Sequence, residues 1–535
     1  MEIEATNLCR VQRPVVKGLS EFFCTSCVVI FSSIPQPQIE KVLLCIENTG
    51  STASNAVENL YEKKSTRFKQ KRTFMKSTFP RKPYNFKLEM AANNQGVSSF
   101  GGLPLIRKAL AEIGLFEKIR DIFYLKRFLK HGGYEDAQIL EAVILLIASG
   151  GTCFSDWELL IADPGFKKMF GHCMSVDVLE RYLKRLVVTV LDTKTEKGQS
   201  GYSTLLEMIH REMLLLAYQL AGSPESLTLD IDTSIYRSKK SDATFCYEMV
   251  KAYQPMMAYC PELSMVVAHE FRDGNIAPQV GYDRLVKRSR DILSGVKHWT
   301  VRSDSAGYQL EMLDQWASEG IVFYVTADQF SGMQEILKTE TKWQKYISNG
   351  VTTDQEVTEI SYVPNFSNQQ ELTFRRNVFR FIAVRKLKSG QLELGVDKYI
   401  YQVIVTNTQE SDLNKILKTH WQRCGSIEHV HEELKNGCGL KRFPSKHFRV
   451  NAAWCSLGVL THNVLRMIQK HVLPEKFKDI EIRTLNHRFI RSAIWIREKA
   501  KQIIVRCCKD HPLYAWYKEA QEKLEQMSYR LMQFQ

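Results

Sequence analysis

The sequence predicts an α/β protein with one mixed β-sheet, preceded by a helical domain and interrupted by a β-rich insertion. Three observations predict it. Helical periodicity dominates residues 101–220, strands alternate with helices over 227–327, and strand-like segments fill much of 329–400. Strands that alternate with helices favour parallel crossovers within one sheet.

Residues 1–90 differ from the rest of the chain. They lack sustained periodicity and end in a basic segment, residues 63–87, with ten Lys or Arg and no Asp or Glu. One interpretation is an arm that follows a phosphate backbone, with Phe and Tyr free to stack on bases. The other is a tail of incidental charge or an over-long translation start, since Met75 and Met90 lie close to its end. In both cases we expect little fixed structure.

The predicted helical domain covers residues 91–222. Apolar residues recur at spacings of three and four over 103–123 and 135–150, which predicts two amphipathic helices. A third helix is predicted over 175–191, because a Ser cap precedes an acidic first turn. A fourth helix, over 203–220, closes the domain.

A sheet is predicted from residue 226 onward. The segment SLTLDIDTS, residues 226–234, alternates apolar and polar residues, as a strand with one buried face does. The predicted elements that follow are a hairpin (255–275), a helix (279–295), a strand (298–304), a helix through Leu310, Leu313 and Ala317, and a strand (321–327). This element order is that of the ribonuclease H-like fold.

The strand-like segments after residue 328 break this order. We therefore predict a sheet domain in two parts, 223–328 and 401–475, with a β-rich insertion over 329–400 between them. Residues 476–535 form a separate C-terminal region.

Two carboxylates of the first strand, Asp230 and Asp232, lie on one face, with Cα atoms roughly 6.6 Å apart. Side-by-side negative charge costs free energy unless a cation lies between the carboxylates. Asp304 ends the strand predicted over 298–304. Open α/β sheets bind their ligands at the carboxyl ends of their strands, so Asp304 is a third candidate.

Another acid follows the insertion. Glu428, His431 and Lys435 form a polar stripe along a predicted helix, opposite an apolar stripe. Two Asp and one Glu make an oxygen-only donor set, which suits Mg²⁺ or Mn²⁺. Two such ions can activate the attacking oxygen and stabilise the leaving oxygen of a phosphoryl displacement. The predicted chemistry is metal-dependent phosphoryl transfer, with a divalent ion between the carboxylates.

Each acid also has an ordinary explanation when it is considered alone. Asp230 and Asp232 can face solvent on a strand, and Asp304 can cap the segment that follows it. Glu428 can lie on a solvated helix face. The chemical interpretation depends on all of them occurring in order on consistent elements.

At these segments the sequence resembles DDE-type insertion-sequence transposases, specifically their 1380 branch. The resemblance covers about residues 95–510 and rests on LTLDIDTS, EFRDGNIAP, VRSDSAGY, QRCGSIEHVHEELKNG and FPSKHFRVNAAWCSLGVLTHNVLRMI, in that order. It implies a ribonuclease H-like catalytic domain with a β insertion between the second and third acids. The implied activity is metal-dependent cleavage at transposon ends, followed by joining of the freed 3′-hydroxyl to target DNA, by cut and paste.

The resemblance implies the metal ligands residue by residue. Asp232, Asp304 and Glu428 would bind Mg²⁺, for which Mn²⁺ would substitute. Asp232 is favoured as the first acid because the related pattern places that acid directly before a Thr. Asp230 is the alternative, as the catalytic acid or as a supporting ligand.

Contacts with DNA are implied as well. Lys435 matches the Lys of the family signature around the third acid, and we expect it to hold a phosphate near the cleaved bond. Trp421 replaces the signature Tyr, where it can stack on a base. Arg423 lies one residue before the signature Arg position, which Cys424 occupies, and one residue turns a helical side chain by about 100°. Arg302 is a further candidate DNA contact.

The predicted function is that of an active transposase. Its net charge of +14 favours a polyanionic partner. The partners would be double-stranded DNA, as terminal inverted repeats and as target, and a second copy of the chain in a synaptic homodimer; the 91–222 domain would bind the DNA ends. The alternatives are a catalytically silent, transposase-derived DNA-binding regulator and a stand-alone nuclease of the same fold. Without a membrane-spanning run or a disulfide framework, a cytoplasmic, nucleoid-associated protein is expected.

Overall fold

The structure, a computed structural model, describes residues 86–90, 96–125, 133–171, 174–195, 198–364, 379–388, 398–500 and 502–534. All of them belong to one of the two compact units of the chain, Lys82–Gln535. The basic segment up to residue 85 lies outside the described residues. So do the parts of the predicted insertion within 365–378 and 389–397.

Helices occupy much of the described chain. In chain order they are α1 (Leu103–Glu112), α2 (Leu115–Leu125), α3 (Asp136–Ala148), α4 (Trp157–Ala162), α5 (Pro164–Phe170), α6 (Val176–Leu186), α7 (Thr204–Leu220), α8 (Tyr282–Ile292), α9 (Leu310–Ser318), α10 (Ser331–Thr339), α11 (Leu413–Trp421), α12 (Ile427–Gly437), α13 (Phe448–His471), α14 (Ile482–Leu485) and α15 (Tyr514–Phe534). Within the described residues, none of these helices has both the length and the apolar character that a membrane crossing requires.

Two predicted helices are shorter than expected. The segment 103–123 forms two helices, because Gly114 adopts a left-handed φ of +69° between them. The helix predicted over 175–191 ends at Leu186, where a run of β-branched residues begins. Such residues favour strands, and a strand begins at Val190.

The strands form three sheets in the described residues. In chain order they are β1 (Phe86–Met90), β2 (Val97–Ser98), β3 (Val190–Thr195), β4 (Gly198–Ser203), β5 (Ser226–Thr233), β6 (Tyr236–Arg237), β7 (Thr244–Phe245), β8 (Lys251–Tyr253), β9 (Met256–Cys260), β10 (Met265–Arg272), β11 (His298–Ser303), β12 (Val322–Thr326), β13 (Gln344–Ser348), β14 (Val351–Ile360), β15 (Arg380–Leu387), β16 (Tyr399–Thr406), β17 (Ile494–Lys499) and β18 (Gln502–Cys507).

The main sheet has eleven strands in the order β13-β14-β15-β16-β12-β11-β5-β9-β10-β4-β3. Its central strands β5, β11 and β12 are parallel to one another, and their carboxyl ends therefore meet at one edge. The strands on either side, β9 and β16, are antiparallel to them. The predicted α/β class with a mixed sheet is confirmed.

Both ends of this sheet differ from the predicted boundaries. The insertion strands β13, β14 and β15 continue the main sheet beyond β16, so they extend it rather than stand apart from it. At the opposite end, β3 and β4 form a hairpin that pairs with β10. This hairpin comes from within the predicted helical domain, where no strand was expected.

A second, four-stranded sheet contains the first two and the last two strands of the described chain. The hairpin of β17 and β18 pairs with β2 and, in parallel, with β1. Strand β1 consists of the last five residues of the segment expected to have little fixed structure. That expectation is wrong for residues 86–90, whose backbone bonds are taken up by β18.

Helix α13 lies in the core against β4, β10 and α7, and nearly all of its residues are buried. β10 has a register shift between Val266 and Ala268, so Val267 has no partner in the ladder with β9, whereas Val266 pairs with Tyr259. Asn463 of α13 takes the place of a strand there. Its Oδ1 accepts from the Val266 N–H at 3.0 Å, and its Nδ2 donates to the Val266 carbonyl at 2.7 Å.

We expect Asn463→Leu to lower the free energy of unfolding by at least about 2 kcal/mol, because two buried backbone groups lose their partners. The change would be measured as a lower melting temperature and a lower denaturant midpoint. Thr461→Val on the same helix is the control, since the Thr461 hydroxyl only adds a 2.9 Å bond to a helical carbonyl, that of Leu457. Equal stability losses for the two variants would contradict this account of Asn463.

Candidate active site

The strands that carry the first two candidate acids are neighbours in the sheet and run parallel. β5 and β11 pair with Ile231 opposite Ser303. Asp232 and Asp304 each follow this pair by one residue, and neighbouring strands lie about 4.8 Å apart. The register therefore brings Asp232 and Asp304 together at the carboxyl edge of the sheet.

Asp230 has a different environment from Asp232, although both point to one face of β5. It is 0% exposed and forms a bidentate ion pair with Arg302, with Nε–Oδ1 at 2.6 Å and Nη2–Oδ2 at 2.8 Å. The Ser426 hydroxyl donates to Asp230 Oδ2 at 2.9 Å, and Arg302 Nη1 donates to the Thr419 carbonyl at 2.9 Å. A protein cation thus neutralises Asp230. This burial does not fit Asp230 as a metal ligand or Arg302 as a DNA contact.

Asp304 lies in a half-buried position at the start of a short 3₁₀ turn. Its Oδ1 accepts from the Ala306 N–H at 3.1 Å, the Tyr282 hydroxyl at 3.3 Å and the Ser303 hydroxyl at 3.3 Å. The capping role that the sequence suggested is therefore present. All three bonds use Oδ1, so within the described residues Oδ2 has no hydrogen bond and can face a ligand.

Glu428 is exposed in the first turn of α12, where its Oε2 accepts from the Gly425 N–H at 3.3 Å. The same helix is anchored to α13 by Glu433, which is buried. His462 donates to Glu433 Oε2 at 3.1 Å, and Arg466 Nε donates to that oxygen at 3.2 Å. Burial raises the pKa of Glu433, but the bonds and charges of His462 and Arg466 outweigh burial and lower it to about 2. The anchor is therefore ionised at neutral pH.

The pKa of Asp232 is influenced by both of the other candidate acids. Burial, and after it the negative charge of Asp304, raise the pKa of Asp232 to about 7. Glu428 raises this pKa further, and Arg423 opposes the increase. The negative charge of Asp232 is therefore only partly compensated by Arg423, as expected of a cation-binding group.

Arg423 lies in the turn between α11 and α12 and is 7% exposed. Because the turn is not helical, the rotation of about 100° that put this residue in question does not apply. Its Nη1 is 3.7 Å from Asp232 Oδ1, and its Nε and Nη1 have no hydrogen-bond partner within the described residues. Burial lowers the pKa of Arg423, but the charges of Asp232 and Asp304 outweigh burial and raise it. Two buried donors are thus available to an anion.

Lys435 and His431 contact the same region from α12. Lys435 Nζ donates to the Ser234 hydroxyl at 2.7 Å and lies 4.5 Å from the centre of the Tyr236 ring. Burial lowers the pKa of Lys435. His431 Nε2 is 4.0 Å from Asp232 Oδ2, and burial lowers its pKa to about 3, so the imidazole is neutral.

Trp421 ends α11 and packs into a side cluster of the sheet rather than beside the acids. Its ring meets Tyr346 edge to face at 5.0 Å, and its Nε1 donates to Gln402 Oε1 at 3.2 Å. It is half-buried in this cluster. The predicted stacking of Trp421 on a base would have to use the remaining exposed part of the ring.

The candidate acids have the chemistry of a metal site but not the geometry of a complete one. Within the described residues, no three or more His, Cys, Asp or Glu side chains are arranged closely enough to hold one ion. The chemistry of the donors nevertheless fits Mg²⁺ or Mn²⁺, since Asp232, Asp304 and Glu428 offer oxygen alone. The raised pKa of Asp232 also fits, because a bound cation would offset the repulsion among the three carboxylates.

Sequence reasoning missed three contacts around the acids. Ser426 binds Asp230, Tyr282 binds Asp304, and His431 lies beside Asp232. His431 belonged to the polar stripe of its helix, so the face could be predicted but not the partner. Tyr282 and Ser426 are helix-end residues, and no spacing or composition singles them out.

Comparisons with known proteins identify relatives of this chain. The family model described as transposase DDE domain group 1 matches residues 82–529. No curated protein matches. A solved structure, the cryo-EM structure of a piggyBac transposase synaptic complex with hairpin DNA, is similar with a TM-score of 0.38 and 9% sequence identity, over 79% of this chain and 81% of that chain.

We expect Asp230→Ala to lower the free energy of unfolding by about 3–5 kcal/mol, because it leaves the Arg302 guanidinium buried without a carboxylate. The double variant Asp230→Leu with Arg302→Met should regain much of this loss, since an apolar pair replaces the ion pair. Denaturant midpoints would measure both. A single variant as stable as the unchanged chain would contradict the structural role of the pair.

We expect Asp232→Asn to stabilise the metal-free protein in a pH-dependent way. The folded pKa of Asp232, about 7, is above the ordinary value of 3.8 for an Asp. The folded state therefore holds this proton more tightly, and the unchanged chain loses stability as pH rises between these two values. The variant should gain up to about 1.4 kcal/mol for each unit of pKa shift, most fully above pH 7. Melting temperatures in EDTA across this range would measure it, and a pH-independent difference would contradict the assignment.

Proposed function

Because the chain belongs to the DDE transposase family, group 1, we propose that it cleaves DNA at the ends of its own element and joins the freed 3′-hydroxyl to target DNA by cut and paste. Its place within the family is the insertion-sequence 1380 branch. The catalytic part of the chain is a ribonuclease H-like domain, in which β13, β14 and β15 are the insertion before the third acid.

One observation carries the proposal. The parallel register of β5 and β11 places two carboxylates side by side at the edge of the sheet, and the charge of a third raises the pKa of the first. These are Asp232, Asp304 and Glu428, which come from two strands and one helix. Structural carboxylates usually have a cationic partner that is hydrogen-bonded to them, as Arg302 is to Asp230, whereas Arg423 approaches Asp232 only to 3.7 Å. A repulsive group at the carboxyl edge instead fits a binding site.

The three acids are proposed to hold Mg²⁺, for which Mn²⁺ would substitute. When bound, the metal supplies activation of the attacking oxygen and stabilisation of the leaving oxygen. The surrounding residues have positioning roles. Arg302 fixes Asp230 and, through the Thr419 carbonyl, the segment that leads to Glu428. Glu433 fixes the helix that carries Glu428.

Two cations are proposed to bind the phosphate at the cleaved bond. Within the described residues, Arg423 has two buried nitrogens without a hydrogen-bond partner, Nε and Nη1, and Nη1 lies 3.7 Å from Asp232; an anion bound here would supply acceptors. Lys435 is held by Ser234, two residues after Asp232, and is partly desolvated. The remaining partners would be the terminal inverted repeats, the target duplex and a second copy of the chain, because two ends must be paired. A nucleoid location in the cytoplasm would follow from DNA binding.

We expect Asp232→Ala, Asp304→Ala and Glu428→Ala each to reduce Mg²⁺-dependent nicking at least about a hundredfold, because each removes a ligand worth several kcal/mol to the transition state. The substrate would be a supercoiled plasmid that carries the DNA flanking the gene on both sides. Binding of that DNA, measured in EDTA, should persist.

Glu432→Ala is the matched control, since Glu432 is an exposed acid on the same helix. It should nick at the unchanged rate. Full nicking by the three acid variants would refute the site. Nicking without strand joining would favour the stand-alone nuclease, and DNA binding without nicking by the unchanged chain would favour the silent regulator.

A further inference from the structure

A cavity of about 670 Å³ lies beside the acid site, between the segment that follows β5 and the segment that follows α12. Its wall residues are Thr152, Cys153, Ile235, Tyr236, Arg237, Ser238, Lys239, Lys240, Lys435, Lys441, Arg442, Phe443 and Pro444. We call it the basic groove. Six of these thirteen residues are Lys or Arg, and none is Asp or Glu.

Within the described residues, five of the six cations form no ion pair, and three of these five are exposed. These three are Lys239, Lys441 and Arg442. Arg237, in contrast, pairs with Glu248 at 3.3 Å, and Lys240 Nζ lies 3.5 Å from the Pro444 carbonyl. Like charges gathered around one cavity repel one another, so the groove suits a partner with several negative charges.

The groove is formed by segments that follow β5 and α12, the elements that carry Asp232 and Glu428. One wall follows β5 directly, so Ile235 and Tyr236 come within four residues of Asp232. The other wall is fixed to the end of α12, because the Lys441 N–H donates to the Lys435 carbonyl at 3.1 Å. Lys435, which lies over the Tyr236 ring, also lines the groove.

The arrangement of the cations indicates the kind of anion. A single phosphate is bound by donors that converge on one point, whereas Lys239 lies on one wall and Lys441 with Arg442 lies on the other. Cations spread along a groove instead match the repeated phosphates of a nucleic-acid strand, which they bind without reading its bases.

We propose that the basic groove binds the phosphodiester backbone of the DNA strand that leads to the cleaved bond. Lys239, Lys441 and Arg442 contact successive phosphates outside the acid site, and Lys435 is at the boundary between groove and site. The location next to the cleaved bond rests on the proposed function, whereas DNA binding by the groove does not.

The test is the salt dependence of binding to a random-sequence duplex in EDTA, where no cleavage occurs. The slope of log K against log salt is negative, and its magnitude increases with the number of phosphate contacts. The triple variant Lys239→Ala, Lys441→Ala, Arg442→Ala (the groove triple) should reduce that magnitude by about two to three, at about 0.9 for each lost contact. The control triple Lys287→Ala, Lys342→Ala, Lys509→Ala removes three exposed cations elsewhere and the same net charge. It should change the slope by less than one.

Equal slopes for the two triple variants would overturn the proposal. So would a groove triple whose DNA binding is unchanged and whose binding to duplex RNA alone is weakened. Melting temperatures identify any misfolded variant, and the corresponding Gln variants then replace it. Methylphosphonate linkages next to the cleaved bond test the location. These neutral linkages should weaken DNA binding by the unchanged chain severalfold. They should not weaken DNA binding by the groove triple any further, because the linkages and the substitutions remove the same contacts.

The nicking assay separates this proposal from the proposed function. If the groove triple has a shallower slope but the unchanged chain never nicks DNA, the groove is supported and the transposase activity is refuted. Unaltered slopes in a chain that nicks normally would refute the groove alone.

Discussion

The buried ion pair of Asp230 and Arg302 is the interaction on which the site depends. It joins β5 to β11 at the step before Asp232 and Asp304, and it is 0% and 4% exposed at its two ends. A charge pair at this depth is stable only when both partners are present and fully bonded. Every Arg302 nitrogen has an acceptor, and one of these, the Thr419 carbonyl, belongs to the chain that leads into α12. One guanidinium thereby fixes the strands and the approach of the helix.

Two neighbouring carboxylates on β5 thus have opposite electrostatic environments. Asp230 is matched by a cation that cannot leave, so it contributes to the fold. Asp232 is close to negative charge and to a single guanidinium at 3.7 Å, so its negative charge remains poorly compensated. The sequence pattern gave both residues the same face of the strand. Their division into a structural acid and a proposed catalytic acid is a consequence of what the adjacent strand and turn provide.

Much of the fold could be predicted because local patterns specify it. The alternation in 226–234 and the apolar periodicity of 203–220 gave elements that the structure has, at Ser226–Thr233 and Thr204–Leu220. The hairpin of β3 and β4 could not be predicted, since neither strand alternates apolar and polar residues and β4 joins the main sheet by pairing with β10. The continuation of the sheet into β13, β14 and β15 depends on the pairing of β16 with β12, which joins Thr406 to Tyr324, far apart along the chain.

For the candidate site, the sequence suggested residues but not their partners. Order and spacing suggested Asp232, Asp304 and Glu428, which remain a prediction, but they could not distinguish the environments of Asp230 and Asp232, because the partner of Asp230, Arg302, is 72 residues away from it. Arg423 was placed in question by a helical rotation, and the turn at 422–426 removes that objection. Only the three-dimensional packing of α12 on α13 determines where Glu428 points.

The helix that carries Glu428 reaches the sheet late in the chain. Ser426, just before it, bonds with Asp230 across 196 residues, and its anchor Glu433 needs α13, which follows still later. During synthesis, Asp232 and Asp304 are therefore made long before α13, on which the helix of Glu428 packs. A product truncated within the insertion would retain the sequence of the central strands but lack Glu428, so under the proposed function any DNA that it bound would remain uncut.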